Sequence, residues 1–494
     1  MDKSRNSIAQ DFVVYGLIFV LCWYLYKILI KPFMSPLRAI PGLSYYPIVG
    51  NMLEARRSEA MTNALRWMTQ LDSKLIRFYY FGGQERLLTA DPDIFQHVLV
   101  TNSKNYHRLD SGSNNITNLT GSPPLFILSG EHHHIVRKIC NPGFVLNVLH
   151  TMIPVFLERG NALSKVYNLA LLESGTDFAD VDVQATLSTL TLDVICKCGF
   201  HYDLQALENP KSAGVVKFKH LISGVKASFT DLLPFSKYLP TKKNIKMKED
   251  GAFVRDLTKK IIEEYKKQDR KENRHQDLLT SLMSARDAEG SGLSDKELFG
   301  EIIGFLFAGF DTTSIAMTWV LLNLAQYPDV QEKVRSEVTK VIPDMSQCDP
   351  EKLDKLKYLN SVIKETMRLY PPIPCVFRKS LSDDVLNGYK IPAGTIVGLH
   401  VGALHRLNLE DGEEFKPDRF LAPTDLATKS FLPFGKGPYM CIGNKFAQLE
   451  MKTVISRLVT EFKFEWKPGF TFKRVMAITV QPHPSLVLRI SKLR

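Results

Sequence analysis

The stretch Phe434-Gly-Lys-Gly-Pro-Tyr-Met-Cys441-Ile-Gly443 carries the most specific chemistry in the sequence. It sets one cysteine in a glycine-rich turn, and the run Asn444–Lys452 after it reads as the start of a helix. A thiol just ahead of a helix meets free backbone N–H groups and the positive end of the helix dipole, which favour the thiolate. Gly435, Gly437 and Gly443 let the backbone turn tightly around the sulfur and approach a flat ligand. Phe434 supplies an apolar wall that keeps water away. A thiolate held in this way suits a single axial bond to a haem iron.

The spacing Phe-x-x-Gly-x-x-x-Cys-x-Gly resembles the haem-binding signature of the cytochrome P-450 family, with Cys441 as the axial ligand of the haem iron. A second stretch points the same way. Ser294-Asp-Lys-Glu297 predicts a capping box, and Glu297 through Gln326 reads as a helix apolar nearly all round, ended by Pro328. Inside it lies Ala308-Gly309-Phe310-Asp311-Thr312-Thr313. One glycine and two threonines weaken a helix, and a threonine hydroxyl can turn onto the i−4 carbonyl. A weak spot in a core helix suggests that a small ligand must fit there. The segment resembles the family motif that opens a groove for O2, and the resemblance makes Asp311 and Thr312 a proton relay.

A third pattern is Glu365-Thr-Met-Arg368, an acid and a base at i, i+3, followed at a distance by Phe415-Lys-Pro-Asp-Arg419-Phe420. The resemblance implies that Glu365, Arg368 and Arg419 form a buried structural charge network behind the haem loop. Two positions depart from the family. The window His133-His-Ile-Val-Arg137 carries histidine where tryptophan is common, with Arg137 kept, and Tyr439 stands where Arg or His usually precedes the cysteine. Both positions normally serve haem propionates. Arg137 and Arg378 remain for that role, with His133 and Tyr439 as neutral donors. The run His132-His-His134 is not expected to bind a metal, because consecutive helical residues point to different faces.

The elements that must position these groups follow from the rest of the chain. The 494 residues include 23% charged and 45% hydrophobic positions, ordinary for a globular protein. Seven cysteines at scattered spacing show no zinc pattern and fit a reducing compartment. The net charge is +11, yet no basic arm with interleaved aromatics appears, so nucleic acid is excluded as a partner. Lys242–Lys248 and Lys266–Arg274 read as solvated loop faces.

Phe12–Ile30 is a nearly unbroken apolar run of 19 residues, about 28 Å as a helix and long enough for a bilayer core. Lys27 near its end, with Lys31 and Arg38 after it, outweigh Lys3 and Arg5 before it, which places the bulk of the chain in the cytosol. Pro32, Pro36, Pro41 and Pro47 then predict a semi-rigid spacer. Residues 1–31 are thus read as an uncleaved signal anchor, 32–51 as a proline-rich hinge and 52–494 as the catalytic domain.

Lys74–Tyr80 and Arg86–Ala90 around Gly82-Gly83 predict a β-hairpin. Ser103–Gly130 reads as a loop whose end, Pro123–Leu128, lines a pocket; by resemblance it covers the haem. Helical periodicity covers Val136–Asn147, Thr151–Leu172, Val181–Cys198 and Val215–Phe229. Asp231–Pro240 is a candidate second membrane contact. Val475–Val480 and Ser485–Ile490 read as strands.

The expectation is a mainly α fold with a small β region, a P-450-like haem-thiolate fold behind an N-terminal transmembrane helix. The resemblance implies a monooxygenase using haem b (iron protoporphyrin IX), O2 and electrons from an NADPH-cytochrome P-450 reductase. It implies residence in the endoplasmic reticulum membrane, in contact with membrane lipid. Phe126, Phe305, Ala308, Ile373, Val376 and Ile478 are apolar pocket candidates and predict a lipophilic small-molecule substrate. Two rivals remain: an isomerase or dehydratase acting on peroxides without a reductase, and a haem-binding protein without turnover.

Overall fold

The computed structural model describes residues 2–57, 59–109, 117, 121–225, 239–267, 278–284 and 292–493. Most of the predicted second membrane contact, Asp231–Pro240, lies outside them, as does most of Lys266–Arg274. The first elements in chain order are α1 (Asp2–Leu29), β1 (Leu75–Tyr79), β2 (Glu85–Thr89), β3 (Tyr106–Arg108), α2 (Gly130–Cys140) and α3 (Ile153–Ser174). Next come β4 (Phe178–Asp182), α4 (Val183–Phe200), α5 (Ala213–Val225), α6 (Lys242–Lys267), α7 (Asp295–Gln326), α8 (Pro328–Val341) and α9 (Lys357–Leu369). The last are β5 (Val376–Ser380), β6 (Ile396–Leu399), α10 (Asn444–Val459), β7 (Phe462–Trp466), β8 (Lys473–Met476), β9 (Val480–His483) and β10 (Val487–Lys492). The fold is mainly helical with small sheets, as expected.

The chain divides into two compact units, Met1–His107 with Cys375–Leu407, and Arg108–Pro374 with Asn408–Arg494. In the first, the sheet runs in the order β1-β2-β6-β5-β3. The predicted hairpin forms β1 and β2, antiparallel, with Leu75 opposite Thr89 and Tyr79 opposite Glu85. Its turn needs glycine, because Gly82 and Gly83 both have φ near +72°. All five residues of β1 are buried. α1 belongs to this unit, and its side chains from Val14 to Leu29 are almost all exposed. The Tyr45 hydroxyl donates to the Ile28 carbonyl at 2.6 Å, satisfying one of the open acceptors at the end of α1. The Tyr45 ring lies edge-on to Phe33.

In the second unit α7 is the central element. The expected capping box is present: Ser294 Oγ accepts the Glu297 N–H, and Glu297 Oε2 accepts the Ser294 N–H at 2.9 Å. Removing such a cap costs about 1 kcal/mol. Beyond it, Leu321, Leu322 and Leu324 are at most 1% exposed, and each buried side chain of this kind contributes about 1.5–3 kcal/mol. Among the described residues, α7 and the segment Val14–Ala39 are long and apolar enough to cross a membrane, but α7 is enclosed by protein. α7 packs along α4, where Gly309 permits close approach: a Cβ there would lie 3.0 Å from Ile195.

Three readings are corrected. Lys242–Lys248 is not a loop but the start of α6, with its lysines still facing solvent. The helix predicted at Val136–Asn147 runs instead from Gly130 to Cys140. The chain then tightens into a 3-10 turn, Asn141–Phe144, because Pro142 cannot continue the hydrogen-bond ladder. Val475–Val480 is two strands rather than one: β8 and β9 pair as a hairpin, with Ala477–Thr479 forming its turn.

Candidate active site

Cys441 sits three residues before α10, whose N-cap is Gly443. The loop closes on itself through the Cys441 N–H, which donates to the Phe434 carbonyl at 2.9 Å. Gly435 and Gly437 have φ of +72° and +73°, so the turn depends on residues without a Cβ. Gly443 has φ of −81° and works differently: its N–H bonds the Cys441 sulfur and favours the thiolate. Protein packed around the sulfur raises the thiol pKa, while Gly443, Arg137 and Arg108 pull it down. The Cys441 residue itself is exposed.

Arg137, on α2, donates through Nη1 to the Met440 carbonyl and through Nε to Asn141. Burial lowers its pKa, and the neighbouring Cys441 raises it. The ring of buried His133 lies 4.5 Å from that of Tyr439. The Tyr439 hydroxyl accepts the Gly130 N–H at the start of α2. The three histidines diverge, with His132 beside Glu297, His133 against Tyr439 and His134 beside Glu131. Arg378 belongs to the other unit, buried on β5, where its Nη1 donates to the Phe377 carbonyl.

Sequence reasoning missed Arg108. Its guanidinium lies 4.6 Å from the centre of the Tyr439 ring and donates to the carbonyls of Leu125 and Leu128 at 2.7 and 3.0 Å. It thereby ties the Pro123–Leu128 loop to the cysteine loop. No local pattern marks it, since its partners lie between 17 and 331 residues away.

The same loop seats on α7. Gly300 and Gly304 lie one above the other on one helix face, and a Cβ on either would strike Ser122 or Pro124. Between them, buried Glu301 accepts the Leu125 N–H, and burial pushes its carboxyl up to about 8. Phe126 stacks on Phe307 at 6.2 Å. Ala308 and Thr312 continue that face at the same four-residue spacing. Here the helix surface opens: Phe307, Ala308, Gly309, Asp311 and Thr312 are partly exposed, whereas Thr313 through Ala325 are buried.

Two hydroxyls act on the backbone of this opening. Thr312 Oγ1 donates to the Ala308 carbonyl at 2.7 Å, and Thr191 of α4 donates to the Phe310 carbonyl at 2.9 Å. The Asp311 carboxylate accepts from Thr479 Oγ1 at 2.8 Å. Gly309 faces Ile195, so it serves helix packing and not the open side.

Glu365 and Arg368 are fully buried and joined by two bonds of 2.8 and 2.9 Å. Arg419 Nε lies 3.5 Å from Glu365, and Arg419 Nη1 reaches Asp411 at 2.7 Å. The Arg419 bond holds the Asp411 carboxyl well below the usual range. Glu365 also accepts the Lys416 N–H, and Arg368 donates to the Gly412 and Glu414 carbonyls. The structure thus brings the three network residues together.

A soft sulfur donor, positive-φ glycines and two guanidinium groups fit an anionic haem. A family model described as cytochrome P450 matches residues 40–489. Cytochrome P450 monooxygenase 128 of Postia placenta is 31% identical, covering 90% of each chain. Secologanin synthase 1 of Catharanthus roseus is 28% identical, covering 98% of this chain and 97% of its own. Among solved structures, a retinoic acid bound cyanobacterial CYP120A1 superposes with a TM-score of 0.78 at 25% identity, covering 92% of this chain and 99% of that one.

Proposed function

Because the chain belongs to the cytochrome P450 family, and is a P450 monooxygenase and so an oxidoreductase, we propose that it inserts one atom of O2 into a lipophilic substrate. Two electrons from an NADPH-dependent reductase and two protons convert the second atom to water. Bound haem b supplies the iron at which O2 is reduced.

The chain's own residues do the rest. Cys441 provides the sulfur ligand; burial raises its thiol pKa, and the Gly443 N–H with the guanidinium groups of Arg137 and Arg108 work against that rise in favour of the thiolate. Arg137 and Arg108, with His133, are the donors assigned to the propionates, and Tyr439 packs beside them as an aromatic. Asp311 and Thr312 hold and move protons at the partly exposed mid-helix stretch of α7, Phe307–Thr312. The apolar α1 anchors the chain by a single pass, as residues 1–31 of a protein of the endoplasmic reticulum membrane. Residues 32–51 act as the spacer, and 52–494 face the cytosol as the catalytic domain. Exposed Lys138, Lys436 and Lys445 suit an acidic reductase surface.

The observation that carries this reading is the pairing, within one unit, of an exposed cysteine in a glycine-framed loop with an acid and a hydroxyl at the opening of a buried helix. The test is reconstitution with reductase in lipid vesicles, following NADPH and O2 consumption and identifying products by mass spectrometry from a lipid extract. Oxygenated product formed only with reductase and NADPH supports it. Turnover of lipid peroxides without reductase, or no turnover at all, overturns it.

A further inference from the structure

We infer that Thr479 is a positioning residue for the Asp311 carboxylate, making the β8–β9 turn a working part of the proton relay. The inference rests on the relay reading given above. Thr479 lies 168 residues from Asp311 and is fully buried, yet its Oγ1 donates to Asp311 Oδ2 at 2.8 Å. A buried hydroxyl aimed at a carboxylate fixes that carboxylate's rotamer, and the charged acceptor makes the bond stronger than a neutral one.

The turn has its own supports, so Thr479 does not depend on Asp311 for its place. The Val480 N–H donates to the Pro372 carbonyl at 3.0 Å. The Val480 carbonyl accepts from Trp319 Nε1, also at 3.0 Å, two turns along α7 from Asp311. Trp319 is in turn stacked on Tyr370 with centroids 4.4 Å apart. The residue next to Thr479 is therefore clamped from both sides, once by α7 itself. Any slip of the hairpin along α7 would strain the Trp319 bond as well as the Asp311 bond. A proton carrier that must meet a partner in one geometry gains from such a fixed second contact.

The geometry also separates the two acidic and hydroxyl groups of the relay. Thr312 turns its hydroxyl back to Ala308, within the helix, while Asp311 is held from outside the helix. Thr479 thus governs the acid and leaves the Thr312 hydroxyl alone.

The experiment uses the full-length holoprotein with reductase, in four forms beside the native chain: Thr479→Val, Thr479→Ser, Asp311→Asn and the Thr479→Val/Asp311→Asn pair. Product formed per NADPH should fall roughly tenfold in Thr479→Val, the worth of one hydrogen bond. It should recover in Thr479→Ser and fall no further in the pair than in Asp311→Asn alone. Unfolding midpoints of the same set provide the second readout, and the two single changes should be non-additive there. Full coupling in Thr479→Val, or additive losses in both readouts, overturns the inference. Full coupling in Asp311→Asn instead overturns the relay reading, while non-additive midpoints would still report the Thr479 contact.

Discussion

The hydroxyl of Tyr439 accepts the backbone N–H of Gly130 at 3.1 Å, so it is engaged by the start of α2. Its ring is covered by His133 on one contact and Arg108 on another. Tyr439 thus packs as an aromatic between these two side chains. Tyr439→Arg, although it installs the common family residue, should therefore weaken haem retention. The new guanidinium would sit beside Arg108, and like charges about 4 Å apart near a protein surface repel by about 4 kcal/mol. Haem transfer to excess apomyoglobin should be faster from the variant; slower transfer would show that a propionate was waiting for the charge.

Cys441→Ala should abolish the red-shifted Soret band that a thiolate-ligated haem gives in its reduced, carbonyl-bound form. Cys140, Cys196 and Cys198 cannot replace it, because they are buried and burial raises each thiol pKa well above the usual range. Absorbance spectra of the two proteins decide the matter.

Thr312→Ala should bind substrate normally but divert electrons to peroxide. Among the described residues the hydroxyl bonds its own helix, at Ala308, so its loss leaves the packing intact. Product per NADPH should drop by 10²-fold or so, the lower range for a lost acid–base group, as read by parallel product and peroxide assays.

Arg368→Ala should be the most damaging change outside the cysteine loop. It would leave the fully buried Glu365 without its two-point partner and free the Gly412 and Glu414 carbonyls. Breaking a buried pair from one side costs about 3–5 kcal/mol. The expected result is protein recovered largely without haem and with a lowered unfolding midpoint. Arg419→Ala should cost less, since Arg419 meets Glu365 only at 3.5 Å and keeps one foot on partly exposed Asp411.

Glu301 predicts a pH dependence. Burial raises its folded pKa to about 8, above the unfolded value near 4.5. Its neutral form suits the fold, so the stability it permits is complete below the unfolded pKa and is lost as pH rises through about 8. Glu301→Gln keeps an acceptor for the Leu125 N–H but cannot ionise. It should match the native protein at pH 5 and exceed it at pH 9 by on the order of a few kcal/mol, measured by urea unfolding at both values.

Much of this site was legible because its signals are local. The cysteine loop declares itself through glycines, and the structure needs two of them at positive φ. The capping box at Ser294 and the hairpin around Gly82-Gly83 are likewise properties of a few adjacent residues. Arg108 and Thr479 were invisible for the opposite reason. A lone arginine at the end of a three-residue strand and a lone threonine in a turn acquire meaning only when Tyr439 and Asp311 arrive from far along the chain. Gly309 shows a third case: glycine in a helix signals close approach, but not by what. Its neighbour is Ile195, and the opening lies on the face of Ala308 and Thr312.

The bond from Tyr45 to Ile28 has a consequence for how the molecule travels in its bilayer. A helix that merely trails from its domain would act as a swivel, and the domain could spin and nod independently of it. Here the last turn of α1 is latched to Tyr45 of the same unit, with the Phe33 ring against the latch. Torque on the helix is then passed through the Tyr45 ring, 4.6 Å from that of Tyr79, to the β1–β2 hairpin, and the unit holding that hairpin should turn with its mast. Tyr45→Phe, which removes only the latch, should appear as faster rotational depolarisation of the domain in nanodiscs, with the anchor still in place.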